Sequence, residues 1–545
     1  MKDIPLCLSS FEAIRRNDQI YVDKTRLIYG LAKSNGRYFL SRPRRFGKSL
    51  LIFTLESLFS HGLKYFNGLW IEKHWRDRTY KVLHLDFSLV SFDSAEEFIK
   101  DAAAMCVHKA KAASLLPEDA DPAQFTSLSG FIAALQANSS EPGGIVLLCD
   151  EYDAPLNANL ERPEIFAAIQ KELRGFYSAV TCFSNLFRFV MVTGVSRFKA
   201  EAIFGEGKSF TDLTLDPEYT TIVGFTKAEL KEYFRDHLIK AAALLNNVAE
   251  NAVTGDQIDE VAATLEKYYG GYCFDERASA HVLQTWAVLC FFDHKIKPQF
   301  SDHWYTSGGR SPWLSDAFKG SAGGNACLDV TVPVTLEEFN GAANLAQMRP
   351  ELLLTQCGYY TIKEAGASGL TLGLPNLELR QAKARLLAAE LFTAGYGRVL
   401  SNANSIMPVQ DRDAQALADL FNAVLNTLNA QTSPANERQL CDLLRIYFVA
   451  CGLDLTWPQE DDGGAVLTFE FDGVRLTAGF KFARQDNEAS PLLEAARKQM
   501  TDKGCGDCAP PQRLRRVAMV YSAPQRQITL AEELGRCQKV PQAQS

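Results

Sequence analysis

Apolar residues along the first 220 or so positions fall into two rhythms. Short runs that are apolar almost throughout read as strands: Arg37–Ser41 (RYFLS), Lys81–Phe87 (KVLHLDF), Gly144–Cys149 (GIVLLC) and Phe187–Thr193 (FRFVMVT). Between them, residues 48–60, 94–114, 123–137 and 163–185 carry apolar side chains at helical spacing, as with Leu50, Leu51, Leu55, Leu58 and Phe59 in the first. Strands without a polar face that alternate with helices predict a parallel sheet covered on both sides.

From Thr226 to about residue 295 the pattern is helical. Residues 296–375 mix Gly-rich loops with a hairpin-like pair, Tyr359–Ile362 and Leu370–Leu374, and a helical stretch covers 377–395. From about 410 the chain is helical to 452 and then β-rich, with Val466–Phe471, Val474–Phe482 and Val517–Tyr521 as strands and a helix near 490–502. This predicts an α/β domain over 1–224, a mainly helical lid and connecting region over 225–400, a small α/β domain over 401–525 and a flexible polar tail over 526–545. No repeat of solenoid period is present.

The length of 545 residues agrees with that division, since a domain averages roughly 150 residues. Hydrophobic residues make up 47% and charged residues 22%, a globular balance that excludes a disordered or collagen-like chain. With 57 basic and 65 acidic residues the net charge is −8, which excludes a globally basic nucleic-acid coat and predicts weak non-specific DNA binding at physiological salt. No run approaches the roughly 18 apolar residues of a membrane span, and the first residues lack the apolar core of a signal peptide. The thirteen cysteines, scattered singly, read as reduced thiols of a cytoplasmic protein. Cys505 and Cys508 have CxxC spacing, but no second pair nearby completes a zinc site.

The strongest chemical signal is Arg42-Pro43-Arg44-Arg45-Phe46-Gly47-Lys48-Ser49, set between a strand and a helix where a phosphate loop must sit. Gly47 lets backbone N–H groups approach a phosphate, Lys48 reaches its terminal oxygens, Ser49 offers a hydroxyl to Mg²⁺, and the helix adds its positive end. Arg44, Arg45, Phe46 and Leu50 complete the expected cradle. The first glycine of the usual motif is replaced by Arg42, and a bare GKS tripeptide also arises in a basic loop that merely caps a helix. A second element changes the balance: the apolar strand Ile145–Cys149 runs into Asp150-Glu151 about 100 residues later. Asp150 is placed to hold Mg²⁺ through water, and Glu151 to polarise the attacking water. Thr193, at the tip of the fourth strand and followed by Gly194-Val195-Ser196-Arg197, is a candidate γ-phosphate sensor. Arg44, Arg45 and Arg197 are candidate charge stabilisers, with salt bridges to local acids as the plain alternative.

These residues resemble the AAA-ATPase-like proteins that carry a C-terminal PD-(D/E)xK nuclease-type domain. Tyr21-Val22-Asp23-Lys24-Thr25 matches the YVDKT signature, Ser41–Ser49 the SRPRRFGKS loop, Asp150–Pro155 the DEYDxP box, and Thr193–Phe198 the TGxxxF segment. Asp212–Thr214, Gly224–Thr226, Tyr269–Tyr272, Gln356–Thr361 and Pro375–Glu378 follow in the expected order. The resemblance covers nearly the whole chain and makes the absent first glycine a family trait. It implies a bacterial or archaeal P-loop ATPase domain using ATP and Mg²⁺, with Tyr21 or Asp23 near the base or ribose, and it leaves oligomerisation and an arginine supplied by a neighbour open. Asp23 also reads as a cap for a helix starting near Thr25, and Asp153 and Pro155 read as turn-shaping residues.

The resemblance further implies a small restriction-endonuclease-like α/β domain, whose chemistry needs a metal-binding Asp on one strand and Glu-x-Lys on the next. By spacing, the Asp falls on Leu467 and the Glu on Gly479, while Lys481, Gln499 and Glu437 remain. The domain is therefore expected to be a degenerate nuclease kept for binding, including nucleic acid; Glu470 or Asp472 would have to rebuild a metal site for cleavage. Arg513-Leu514-Arg515-Arg516 is a small basic patch there. The leading expectation is an ATP-hydrolysing switch; the alternatives are an ATP-dependent nuclease and a nucleotide-held scaffold that does not turn over.

Overall fold

The computed structural model describes residues 1–6, 9–139, 141–198, 200–204, 210–293, 298–303, 328–339, 349–393, 412–453, 455–456, 465–471, 474–502 and 513–537. The chain divides into two compact units, residues 1–311 with 331–376, and residues 312–330 with 377–545. The division at 376/377 falls inside the stretch expected as lid and connector. Among the described residues no helix is long and apolar enough to cross a membrane.

The first unit is built on a parallel sheet of five strands: β1 (Arg37–Ser41), β2 (Lys81–Asp86), β3 (Ile145–Asp150), β4 (Phe187–Gly194) and β5 (Thr211–Asp212). Their order is β2-β3-β4-β1-β5, with every pairing parallel. Successive side chains of a strand point to opposite faces, and both faces are buried. Phe39, Leu147, Cys149, Val190 and Val192 enter one core, while Leu40, Val146, Leu148, Phe189 and Met191 enter the other. That double burial is why the strands read as unbroken apolar runs.

Right-handed crossovers dictate which helices cover which face. The chain leaves β1 toward the β2 edge, which puts α3 (Lys48–His61) on one face, where α1 (Phe11–Arg16) and α2 (Thr25–Ala32), which precede β1, also pack. From β2 onward the chain moves the other way, and the opposite face receives α4 (Ala95–Ala112), α5 (Leu128–Asn138), the single turn α6 (Ala154–Asn157), α7 (Pro163–Cys182) and α8 (Ala200–Phe204). Ser94 and Ser127 start α4 and α5 by accepting from Glu97 N and Gly130 N. Because β1 and β4 are neighbours whose following connections go to opposite faces, a crevice opens at their C-terminal ends, the place where open α/β sheets take ligands.

After Gly224 the same unit continues with α9 (Lys227–Tyr233), α10 (Arg235–Asn246), α11 (Gly255–Tyr269) and α12 (Thr285–Asp293). Capping boxes at Thr226 with Glu229 and at Thr254 with Gln257 begin α9 and α11. The paired strands β6 (Tyr272–Cys273) and β7 (His281–Val282) interrupt the expected helical run. The expected hairpin is β9 (Thr361–Gly366) with β10 (Gly369–Gly373), joined by β8 (Val332–Val334) into a three-stranded antiparallel sheet.

The second unit holds a mixed sheet in the order β11 (Leu455–Thr456), β12 (Ala465–Phe471), β13 (Val474–Ala483), β14 (Arg513–Ser522), β15 (Gln527–Cys537). Only β13 and β14 pair in parallel, which requires a crossover, and the helix Ala489–Asp502 supplies it. Helices Leu377–Leu391, Ala414–Leu425 and Glu437–Ala450 build the core on the other face with Leu467, Phe469, Leu476 and Phe480. The tail expected from 526 is instead strand β15 up to Cys537, and residues 538–545 lie outside the described residues. A strand at a sheet edge with one neighbour needs few apolar residues, and the charge that disguised it is paired: Arg515 holds Glu533 at 2.9 Å. Arg515 is buried in that pair, so it is not a nucleic-acid contact. Gly464, Asp472 and the pair Cys505 and Cys508 lie outside the described residues.

Asp442, on the helix Glu437–Ala450, has its carboxyl pushed up to about 6, chiefly by burial, against the pull of Arg445 and Arg438. Its value in the unfolded chain is about 3.9, so the folded state resists ionisation. Stability that is present below pH 4 or so is lost as pH rises through about 6. Asp442→Asn is therefore expected to unfold at a higher temperature than the parent protein, by a margin that widens between about pH 4 and 6 and then stays level. A margin that is constant over that range in thermal melts would contradict this.

Candidate functional site

The geometry of the loop after β1 follows from a few anchors. Arg42, where a glycine would be usual, is 1% exposed and never faces the crevice. Its guanidinium donates to the carbonyls of Ser41 and Thr214, both at 2.8 Å, and packs 4.6 Å from the centre of the Phe274 ring. Burial lowers its pKa to about 9. Phe46 is also an anchor: its ring is buried edge-on against Tyr272 and Phe274. Gly47 has φ of 101°, a conformation that side chains resist, and stands at the N-cap of α3 without any side-chain cap. The first N–H groups of α3 therefore remain for a ligand.

A cavity of about 510 Å³ opens beside this loop, lined by every residue from Arg44 to Leu51 and by Glu151. Arg44, Arg45, Phe46, Gly47, Lys48, Ser49 and Leu50 thus all line one cavity. Its apolar wall includes Ile20, Tyr21, Val22, Ile222, Val223 and Phe225. Tyr21 is present there with its hydroxyl 3.4 Å from Thr54 Oγ1, and burial raises its phenol well above the usual range. Asp23 is not among the residues lining the cavity: it accepts from Thr25 N, at the first residue of α2, at 2.8 Å and from Trp70 N at 2.7 Å, while the N-cap position itself is Lys24. Lys24 lines the cavity while Glu229 grips its ammonium at 2.7 Å.

Lys48 is 3% exposed, with its ammonium 3.3 Å from Pro43 O and 3.4 Å from Glu151 Oε1. Glu151 has φ of 48°, a costly conformation for a residue with a side chain and one that clusters at functional sites. Immediately behind it, Asp150 is 2% exposed, and its Oδ1 accepts from Glu151 N and from the Thr193 hydroxyl. Among the described residues both of these bonds fall on Oδ1. Strand order explains the meeting: β4 lies between β1 and β3, so Thr193 sits between the phosphate loop and the acidic pair. Asp150 and Thr193 do not line the cavity.

Asp153 shapes the following turn. It is fully buried and accepts from Val195 N, Ser196 N and Asn157 Nδ2, while burial, reinforced by nearby Glu151, raises its pKa. Arg197 is committed to Asp212 at 2.8 Å and, through its backbone N, to Gln356, so it is not a charge stabiliser facing the crevice. Arg45 lies in the loop with its guanidinium 4.4 Å from the centre of the Trp286 ring. The contribution of Gln284, Thr285 and Trp286 to the loop had no sequence signal, because the contact spans about 240 residues.

In the second unit the expected nuclease positions do not form one site. Leu467 is 1% exposed within the apolar core. Gly479 pairs with Val466 and Ala518, and a Cβ there would lie 2.6 Å from Met500 Sδ, on the face covered by the helix Ala489–Asp502. Leu467 pairs with Ala478, so Leu467 and Gly479 point to opposite faces of the sheet. Lys481 lies 3.8 Å from Glu437 Oε1, Gln499 sits on the helix Ala489–Asp502, and the side chain of Glu470 is outside the described residues. No group of three or more His, Cys, Asp or Glu that could hold a metal occurs among the described residues.

A protein of Azotobacter chroococcum mcd 1, described as an uncharacterized protein in the vnfD 5' region, is 26% identical over 519 residues, covering 93% of each chain. The crevice at the β1–β4 switch point, the loop ending in Gly47-Lys48-Ser49 and the Asp150-Glu151 pair all fall within the part of the chain, residues 5–204, that matches the AAA-ATPase-like family model, described as a predicted AAA-ATPase.

Proposed function

We propose that this chain binds ATP with Mg²⁺ and hydrolyses it, and that the nucleotide state acts on a C-terminal nuclease-like unit retained for binding rather than cleavage. The observation that carries the first part is the convergence of Lys48, Ser49 and Glu151 on one cavity with Asp150 and Thr193 directly behind. Lys48 and the N–H groups at the head of α3 would hold the phosphates. Glu151 would accept a proton from a water as its oxygen bonds to the γ-phosphorus and the bond to the β-γ bridging oxygen breaks. Ser49 and Asp150 fit a cation held partly by the nucleotide's own oxygens; when bound, Mg²⁺ would neutralise charge on those oxygens. Thr193 keeps Asp150 oriented through its hydroxyl.

The deciding experiment is phosphate release from Mg-ATP by the purified full chain and by Lys48→Ala. Turnover in the parent protein that disappears in the variant supports the reading; equal turnover in both removes it. For the second unit, support comes from Met500 packed where a Gly479 side chain would go and from Leu467 in the core. DNA should survive incubation with Mg²⁺ or Mn²⁺, and metal-dependent cleavage that Lys481→Ala abolishes would instead establish the nuclease alternative.

A further inference from the structure

The phosphate loop is tied to a segment far along the chain through one residue, Arg45. The Arg45 carbonyl accepts from Gln284 Nε2 at 2.8 Å, from Thr285 Oγ1 at 2.5 Å and from Trp286 N at 3.4 Å. The Arg45 side chain stacks on Trp286. Arg45 has φ of 69°, so its backbone needs support from outside the loop. Gln284 is 1% exposed and held on both sides: its Oε1 accepts from Ala287 N at 2.5 Å, and its backbone N donates to Tyr269 O at 2.8 Å. The next loop carbonyl, Phe46 O, accepts from Gly224 N at 3.0 Å. A planar trans peptide directs its N–H opposite to its carbonyl. Capturing the carbonyls of residues 45 and 46 therefore fixes where the N–H groups of Phe46 and Gly47 point. Phosphate loops bind through such N–H groups, and a carbonyl turned toward a phosphate repels it.

We propose that Gln284 and Thr285 are positioning residues for the triphosphate: by holding the Arg45 carbonyl they fix the peptide planes of the loop and set its affinity for ATP. They act on the loop, not on the transferred group, so they affect ground state and transition state alike. This rests on the ATP reading above. The test titrates ATP into the full chain, follows turnover, and compares the parent with Thr285→Val, Thr285→Ser and Gln284→Glu, the last keeping the cap on Ala287 N while removing the donor to Arg45. Thr285→Val is expected to weaken ATP binding and raise KM by about tenfold, the worth of one good hydrogen bond, with kcat within about twofold of the parent. Thr285→Ser should restore the parent values, and Gln284→Glu should weaken binding at least as much as Thr285→Val. Parent-like ATP affinity in both Thr285→Val and Gln284→Glu would overturn the proposal while leaving the ATPase reading intact. A defect in Thr285→Ser equal to that in Thr285→Val would overturn it too, because packing rather than the hydroxyl would then be responsible. A parent protein that binds no ATP would remove both the ATPase reading and this one.

Discussion

Glu151→Gln is expected to lower Mg-ATP turnover by roughly 10²- to 10⁴-fold, the usual worth of a general base, while ATP still binds. The carboxylate stands at the end of β3, 3.4 Å from the Lys48 ammonium and on the wall of the same cavity. Glutamine keeps the shape and can still accept a hydrogen bond from Lys48, but it cannot take a proton from water. Lys48→Ala should behave differently: the cavity loses its buried cation, and ATP binding falls along with turnover. Parallel titrations and phosphate-release assays separate the two effects. Hydrolysis by Glu151→Gln at the parent rate would remove Glu151 from the chemistry and return the Lys48–Glu151 pair to an ordinary ion pair.

Gly479→Glu, the substitution that would put a carboxylate where the nuclease resemblance expects one, is expected to destabilise the second unit without creating activity. The new Cβ would meet Met500 Sδ at 2.6 Å and Cγ at 2.9 Å, and Met500 is fully buried. A thioether side chain can shift, but β13 is paired on both sides and cannot back away from the clash. An overpacking cost of about 3 kcal/mol, or about 6–12 °C in unfolding midpoint for a unit of this size, is the scale expected. Adding Leu467→Asp should make matters worse, since that side chain enters the opposite core. The measurement is thermal unfolding of the variants together with DNA cleavage in Mn²⁺. Cleavage by the double variant would show that the two positions do share a cation after all.

What could be read along the chain was what depends on local repetition or on short-range chemistry. Four of the five strands of the first sheet, β1 to β4, were visible because each is buried on both faces, leaving no polar alternation to confuse them; the two-residue exposed β5 left no such run. The phosphate loop and the Asp150-Glu151 pair were visible because their residue types are unusual together. The order of the strands was not, although it alone puts Thr193 between the two motifs. That Arg42 and Phe46 brace the loop was not legible either, because it depends on Thr214, Tyr272 and Phe274. The edge strand β15 was hidden because its glutamate finds its counter-charge on β14, which no window of sequence reveals. Spacing placed Leu467 and Gly479 in one constellation, while the pairing register of β12 and β13 puts them on opposite faces of the sheet.

The braces on the phosphate loop bear on where the functional module ends. Residues 5–204 match the family model, yet the loop within them is held by Thr214 and Tyr219 through Arg42, by Gly224 through Phe46, and by Gln284 and Thr285 through Arg45. A chain stopped at the end of the matched segment would keep the Gly47-Lys48-Ser49 loop and the Asp150-Glu151 pair and lose the loop's external supports. The matched segment and the support of the loop thus have different borders: the supports reach the first turn of α12, about 80 residues beyond the end of the match, so moving the loop intact onto another scaffold would mean carrying that stretch as well.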